Sequence, residues 1–449
     1  MNYVKGLVMA TISTAQQLTD ALSAGTSVLN ISGRITGMPS LKLPEGVTLR
    51  GVTDDAELAF GAKGLQLTAN NTVSHLKIST SVQELAIFNS DDVEDFGTLR
   101  LEDVRTVGQV FLTAAGANRA GRFEADGVHV LAADVRGRTL RPHGYGVDAL
   151  QGGFTAWNLQ KDDFVVITAE LLNISAGTED TPVRGSGVFV GGQGTEDGTP
   201  AGGTLAISKL TTGDIYTDGG IAPGTPDLIS GGVFLIYGGI ADKVINLGST
   251  TTYGQNDMVL DNWGKATEWI SEGRVTSHGP SGIGFVNFGG IDTLDIRQPI
   301  LTTGKGARGF NLYDGYLKKA IFDSIATTGD GSIGIQVSKP LPSLTVKRDL
   351  TTVGGEGLSL VRGVQVTLQA IALSIKDGGE LDSIEVGGEI STSGDNVPAI
   401  ESAGSVKAFA ATAVRATGAG ADAVRYRAGS LPLDGLSLYA RDGQTAAEI

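Results

Sequence analysis

A short step rich in Thr or Ser and closing on Gly recurs through the second half of the chain at a fixed interval. It stands at Thr251-Thr252-Tyr253-Gly254, Thr276-Ser277-His278-Gly279, Thr302-Thr303-Gly304, Thr327-Thr328-Gly329 and Thr351-Thr352-Val353-Gly354, so the glycines follow one another by 25 residues four times. The step returns after 40 residues at Thr392-Ser393-Gly394 and after 24 more at Thr417-Gly418, and upstream Thr211-Thr212-Gly213 precedes Gly254 by 41. The longer intervals read as units carrying loops of about 15 residues. A fixed period of this size is the signature of a stacked repeat architecture.

Apolar residues keep phase with these glycines. Ten and eight positions before Gly304, Gly354 and Gly394 stand Leu294 and Ile296, Leu344 and Val346, and Ile384 and Val386. Four positions before the glycines stand Val275, Ile300, Ile325, Leu350, Ile390 and Val414; six after come Leu260, Phe285, Phe310 and Ile335. Within each unit apolar residues alternate with other types, which is the period of a strand. Leucine-rich repeats are of similar length, but their L-x-x-L-x-L core is missing, and propeller blades need about 40 residues or more. The chain has 66 Gly and 13 Pro in 449 residues with no G-X-Y period, which excludes collagen and suits short strands joined by tight turns.

The expected fold is therefore all-β: a single-stranded right-handed parallel β-helix with coils of about 25 residues, forming one domain over 1–449. Equivalent residues of successive coils would stack about 4.8 Å apart. Regular coils are expected over 250–430 and irregular, loop-bearing ones over 130–250. A short helix within 11–25 would cover the first coil. Ser13-Thr14-Ala15-Gln16 has capping-box spacing, Leu18, Ala21 and Leu22 share a face, and Gly25 is placed to end it. In the irregular region Gly146–Gly153, Gly187–Gly192 and Gly232–Gly239 resemble one another and read as equivalent strands; the turn-rich stretches 194–200 and 223–227 read as excursions.

The segment Leu43-Pro44-Glu45-Gly46-Val47-Thr48-Leu49-Arg50-Gly51 resembles the opening coil of pectate-lyase-like β-helix proteins. That resemblance implies carbohydrate chemistry on an outer strand face, as a glycoside hydrolase or polysaccharide lyase if the chain is an enzyme. Polygalacturonases of this superfamily carry N-T-D, D-D, G-H-G and R-I-K steps on successive coils. Here Gln255-Asn256-Asp257 and Ser277-His278-Gly279 match in part, and the D-D and R-I-K steps are missing.

Charge narrows the partners. The net charge of −15 disfavours nucleic acid and works against polyuronates. The absence of cysteine excludes disulfides and thiolate metal sites. No cofactor and no metal are expected, and no dinucleotide, P-loop, EF-hand or H-E-x-x-H motif occurs. The apolar run Gly6–Ala10 is shorter than the roughly 7–15 residues of an export leader, and no stretch approaches the roughly 20 of a membrane span. The default expectation is a soluble cytoplasmic protein, with an extracellular location as the alternative.

The candidate site lies in the strand after each glycine corner. Nine positions past it come Trp263, Phe288 and Tyr313, with Tyr237 upstream in the same column. Since the sixth position points inward, the seventh and ninth should point outward. The aromatics would then form an outer column flanked by Asp261 and Asn311 and bordered by Arg308, a platform for sugar C–H faces. Asn262 and Asn287 would face inward or sit at the bend. Asp257, Asp261 and Asp314 are the candidate carboxyl catalysts, with His278 assisting. Asp261 and Asp314 would be roughly 10 Å apart along the axis, at the upper edge of the roughly 6.5–9.5 Å of inverting glycosidases. The expected function is the binding, with hydrolysis as a further step, of a glycan or oligosaccharide. The alternative is a non-catalytic structural, adhesin-like or phage-type oligomer, such as a homotrimer with the aromatic column at its subunit interface.

Overall fold

The computed structural model describes residues 9–361 and 364–449. Most of the run Gly6–Ala10 lies outside them. Among the described residues there is one helix, and almost every strand pairing is parallel. No helix among them is long and apolar enough to cross a membrane.

Each regular unit contributes three strands, and each stacks on its equivalent in the next unit. Thr250–Thr252, Val275–Ser277, Ile300–Thr302, Ile325–Thr327 and Leu350–Thr352 form one ladder, in a register of 25 residues at every step. Asp257–Asn262, Ile283–Asn287, Arg308–Leu312 and Ile333–Val337 form a second. Lys265–Ser271, Gly290–Ile296, Tyr316–Phe322 and Ser343–Val346 form a third. The architecture is thus all-β and parallel, as in a β-solenoid. The in-phase apolar residues named above all lie in one continuous interior.

The corner glycines are required for space. A Cβ on Gly279, Gly304, Gly329 or Gly354 would stand 1.7, 1.8, 2.1 or 2.0 Å from the carbonyl oxygen of the preceding glycine in the column. Gly394 and Gly418 repeat the contact at 2.1 Å. Left-handed backbone is needed two positions later, where Asn256, Ser281, Gly306 and Gly331 have φ of 56, 56, 67 and 70°. A second left-handed column, His75, Asp103, Gly127 and Asn173, bends the long strands near the N-terminus, using residue types that tolerate this conformation.

The 40-residue interval holds the expected insertion, an antiparallel hairpin of Glu356–Val361 and Val364–Gln369. Three expectations are corrected. Thr211-Thr212-Gly213 is not the corner equivalent to Gly254. Ile215, Tyr216 and Thr217 pair with Thr250–Thr252, and the backbone of Gly219 lies beside Gly254, because the strand Thr204–Thr217 runs further before turning. The segment Gly146–Gly153 is not the equivalent of Gly187–Gly192 and Gly232–Gly239; the equivalent strand starts at Gly152, where Phe154 and Thr155 pair with Val188 and Phe189. The helix is Ala15–Ser23, with Thr14 rather than Ser13 as its cap. Thr14 Oγ1 accepts from Gln17 N (3.2 Å), and Gln17 Oε1 accepts from Ser13 N (2.8 Å). Leu18 is buried among the first strands and Gly25, with φ 75°, follows the helix end.

Candidate functional site

Register sets the outer face of the second ladder. Phe234, Asp261, Val286, Asn311 and Gln336 form one column, and Met258, Ile283, Arg308 and Ile333 another. Leu260, Phe285 and Phe310 face the main interior, whereas Met258, Trp263, Ile283 and Val286 belong to a second, separate apolar cluster. Asn262 and Asn287 are buried, and the Nδ2 of Asn262 donates to Oδ1 of Asn287 at 2.7 Å.

This outer face is sheathed by the chain itself. His143–Gly144 and Val147–Ala149 form a small antiparallel hairpin whose turn residues, Tyr145 and Gly146, have φ of 54 and 83°. Two left-handed residues in a two-residue loop match the twist of a tight hairpin, but a tyrosine there is held against its preference. Its ring explains why it stays. Tyr145 stacks on Phe288 at 4.4 Å, meets Trp263 edge-on at 5.3 Å, and donates its hydroxyl to the Phe288 carbonyl at 3.3 Å. Phe288 in turn stacks on Tyr313 at 5.1 Å. Burial pushes the Tyr145 phenol up to about 12, with the carboxylates of Asp314, Asp261 and Asp197 adding to the rise. The hairpin is tied down where Tyr237 donates to the His143 carbonyl (3.1 Å) and Asp148 N donates to the Asp227 carbonyl (2.7 Å).

The structure places the sequence-predicted residues in three groups. Asp261, Arg308, Trp263, Phe288 and Tyr313 converge around one small cavity. Asn311 and Tyr237 are buried beside that group. Asp257, Asp314 and His278 stand apart from it. Asp257 is buried and accepts from Ser230 Oγ, Gly254 N (2.8 Å) and Gly219 N (3.1 Å), so it ties three turns together. Burial raises its carboxyl to about 6 against the pull of these donors. Asp314 accepts from Gly315 N (2.9 Å) and from Lys339 Nζ (3.0 Å) on the outer rim. His278 is exposed, stacked on Tyr253 at 5.4 Å with Nδ1 3.1 Å from Thr303 Oγ1.

Two spaces flank the Tyr145, Trp263 and Phe288 rings. The inner one is a cavity of about 60 Å³ lined also by Asn256, Asp261, Ser281, Arg308 and Tyr313. Asp261 lies there fully buried, with neither carboxylate oxygen hydrogen-bonded within the protein. Burial holds its carboxyl well above the ordinary range. The Trp263 indole N–H faces it and pulls the other way, but its own N–H also lacks a hydrogen-bond partner in good geometry. Arg308 is buried too, and its Nε has no acceptor.

The outer space is an open groove of about 560 Å³. The exposed Tyr316 and the half-buried Phe288 and Tyr145 give it aromatic surface; Asp197, Asp314 and Lys265 give it charge. A larger cleft of about 810 Å³ near the N-terminus is lined by mixed charges, including Glu57, which pairs with Arg34 (3.2 Å) and Lys77 (3.5 Å). It has no aromatic wall, and Glu57 is shared by two of its cations.

Sequence reasoning missed Tyr145 and Asp197 as parts of the site. The visible signal was that 194–200 is an excursion and that Tyr145 lies in the irregular region 130–250. Comparison with known protein families, curated proteins and solved structures gives no match to this chain.

Proposed function

We propose that this chain is a right-handed single-stranded parallel β-helix of the pectate-lyase-like kind, and that it binds a glycan in the outer groove. The hand follows from the strong preference of parallel crossovers for right-handed connections. The observation that carries the function is the groove itself: aromatic faces from Tyr316, Phe288 and Tyr145 beside the carboxylates of Asp197 and Asp314. A space of about 560 Å³ lies within the range of ordinary ligand sites. Sugar rings present C–H faces to aromatic rings and hydroxyls to carboxylates, so this pairing of surfaces suits them.

Binding is favoured over hydrolysis. Hydrogen bonds from Thr195 and Thr199 hold the Asp197 carboxyl below its usual range, which suits a hydroxyl acceptor and not a general acid. Asp261 is walled off from the groove by the rings. The rival reading, assembly through the aromatic column, has less surface to draw on, because Trp263 and Tyr237 are covered by the chain's own hairpin.

A glycan-array screen of the wild type beside Tyr316→Ala tests this. Tyr316 is exposed, so the variant should fold normally. Loss of one stacking ring should weaken the hits by about three- to tenfold. Absence of any glycan bound by the wild type, or unchanged affinity in the variant, overturns the reading.

A further inference from the structure

The inner cavity has a chemistry distinct from the groove. Asp261 and Arg308 from the second ladder and Trp263 just past it are all buried, and each has side-chain polar atoms without a hydrogen bond of good geometry in the protein: both oxygens of Asp261, Nε1 of Trp263 and Nε of Arg308. Among the described residues Arg308 makes no ion pair. Asp261 and Arg308 sit two strands apart on the same face, roughly 10 Å along the axis. A buried guanidinium with no counter-charge costs several kcal/mol, and a buried indole N–H with no acceptor adds to that.

From this geometry we infer that the inner cavity is a binding site for a small monocarboxylate of the size of formate or acetate, held by Arg308. At about 60 Å³ the cavity is far below the few hundred Å³ of a typical ligand pocket, so it takes a group of a few atoms and not a sugar ring. Guanidinium and carboxylate match as planar forks, which selects a carboxylate over a spherical halide. The Trp263 N–H supplies a further donor. Val286, Ile283 and Met258 form the apolar wall against which a methyl group would rest. Burial raises the Asp261 carboxyl and so favours its protonated form, a neutral donor towards the anion. The site does not rest on the glycan reading, since it is a different cavity behind the Tyr145 ring.

The test uses the full chain with sodium acetate and sodium formate, and sodium chloride at equal ionic strength as the comparison. Readouts are Trp fluorescence, to which Trp263 contributes from within the cavity, and the thermal midpoint, which rises when a ligand binds only the folded state. A saturable acetate response is expected in the wild type, weakened at least about tenfold in Arg308→Met. No saturable response, an equal response to chloride, or an undiminished response in Arg308→Met overturns the proposal.

Asp261→Asn keeps the shape and supplies the decisive comparison if Arg308→Met does not fold. The charged or titratable groups around Asp261 are Arg308, Tyr145, Tyr313 and Asp314 on neighbouring segments and Asp257 on its own strand. Wild-type acetate affinity should fall as pH rises and Asp261 ionises, while Asp261→Asn should hold its affinity. Identical pH profiles overturn the proposal.

Discussion

Phe285 and Val286 are neighbours on one strand and equally buried, yet they belong to different interiors. Phe285 packs inside the solenoid, edge-on to Trp269 at 5.1 Å and tilted against Phe310 at 6.3 Å. Val286 points the other way, between Asp261 and Asn311, under the segments that leave the repeat. The inner face is apolar because stacking alone encloses it, so each coil repeats the same solution every 25 residues. The outer face is enclosed only where an excursion covers it, and its residues change from coil to coil. The polar atoms left without partners differ in the same way. Inside they are neutral, as at Thr250, Thr302, Thr352 and Asn262 Oδ1; outside they include Asp261 and Arg308. A neutral orphan costs about 1–3 kcal/mol and a charged one more. Ionisable orphans gathered at one small cavity are therefore the stronger mark of a site.

Substitutions on the two faces put this contrast at risk. Phe310→Ala removes a ring packed on Phe322 at 4.9 Å and should lower unfolding free energy by about 3–5 kcal/mol. Gly304→Ala forces a methyl against the Gly279 carbonyl and should cost about 2–3 kcal/mol, although it deletes no contact. Urea titration measures both, and a tolerated Gly304→Ala would remove the spatial account of the corner column. On the outer face, Tyr145→Gly loses ring stacking but relieves a left-handed tyrosine, so the net loss should be only about 1 kcal/mol. Trp263 emission should shift to the red as its cover opens. A loss as large as that of Phe310→Ala would show that the two interiors are energetically one.

The last effect concerns pH. Because the folded-state carboxyl of Asp261 lies above its unfolded value, the unfolded chain releases this proton first. Its contribution is fully present below about pH 4 and is lost as pH rises towards the folded value. Asp261→Asn should therefore match the wild type near pH 4 and gain on it at higher pH, read from urea midpoints across the range. A constant difference would mean that Asp261 is not titrating in the cavity.

The sequence by itself determined the period, the strand type, the inward residues and the outward direction of Asp261 and Trp263. These follow from alternation and from a repeat that reports the stacking of like on like. It also showed that the region 130–250 is irregular and that 194–200 and 223–227 break the rhythm. The tertiary structure alone decided where those breaks go. A stretch outside the repeat carries no register, so nothing local shows that Tyr145 closes over Phe288, or that Asp197 borders the same groove as Asp314. It likewise decided that Asp257 holds turns together, because the partners at Gly219 and Ser230 lie 38 and 27 residues away. Periodic residues are legible because each answers to its equivalents one coil away; the site is assembled by residues that answer to distant parts of the chain.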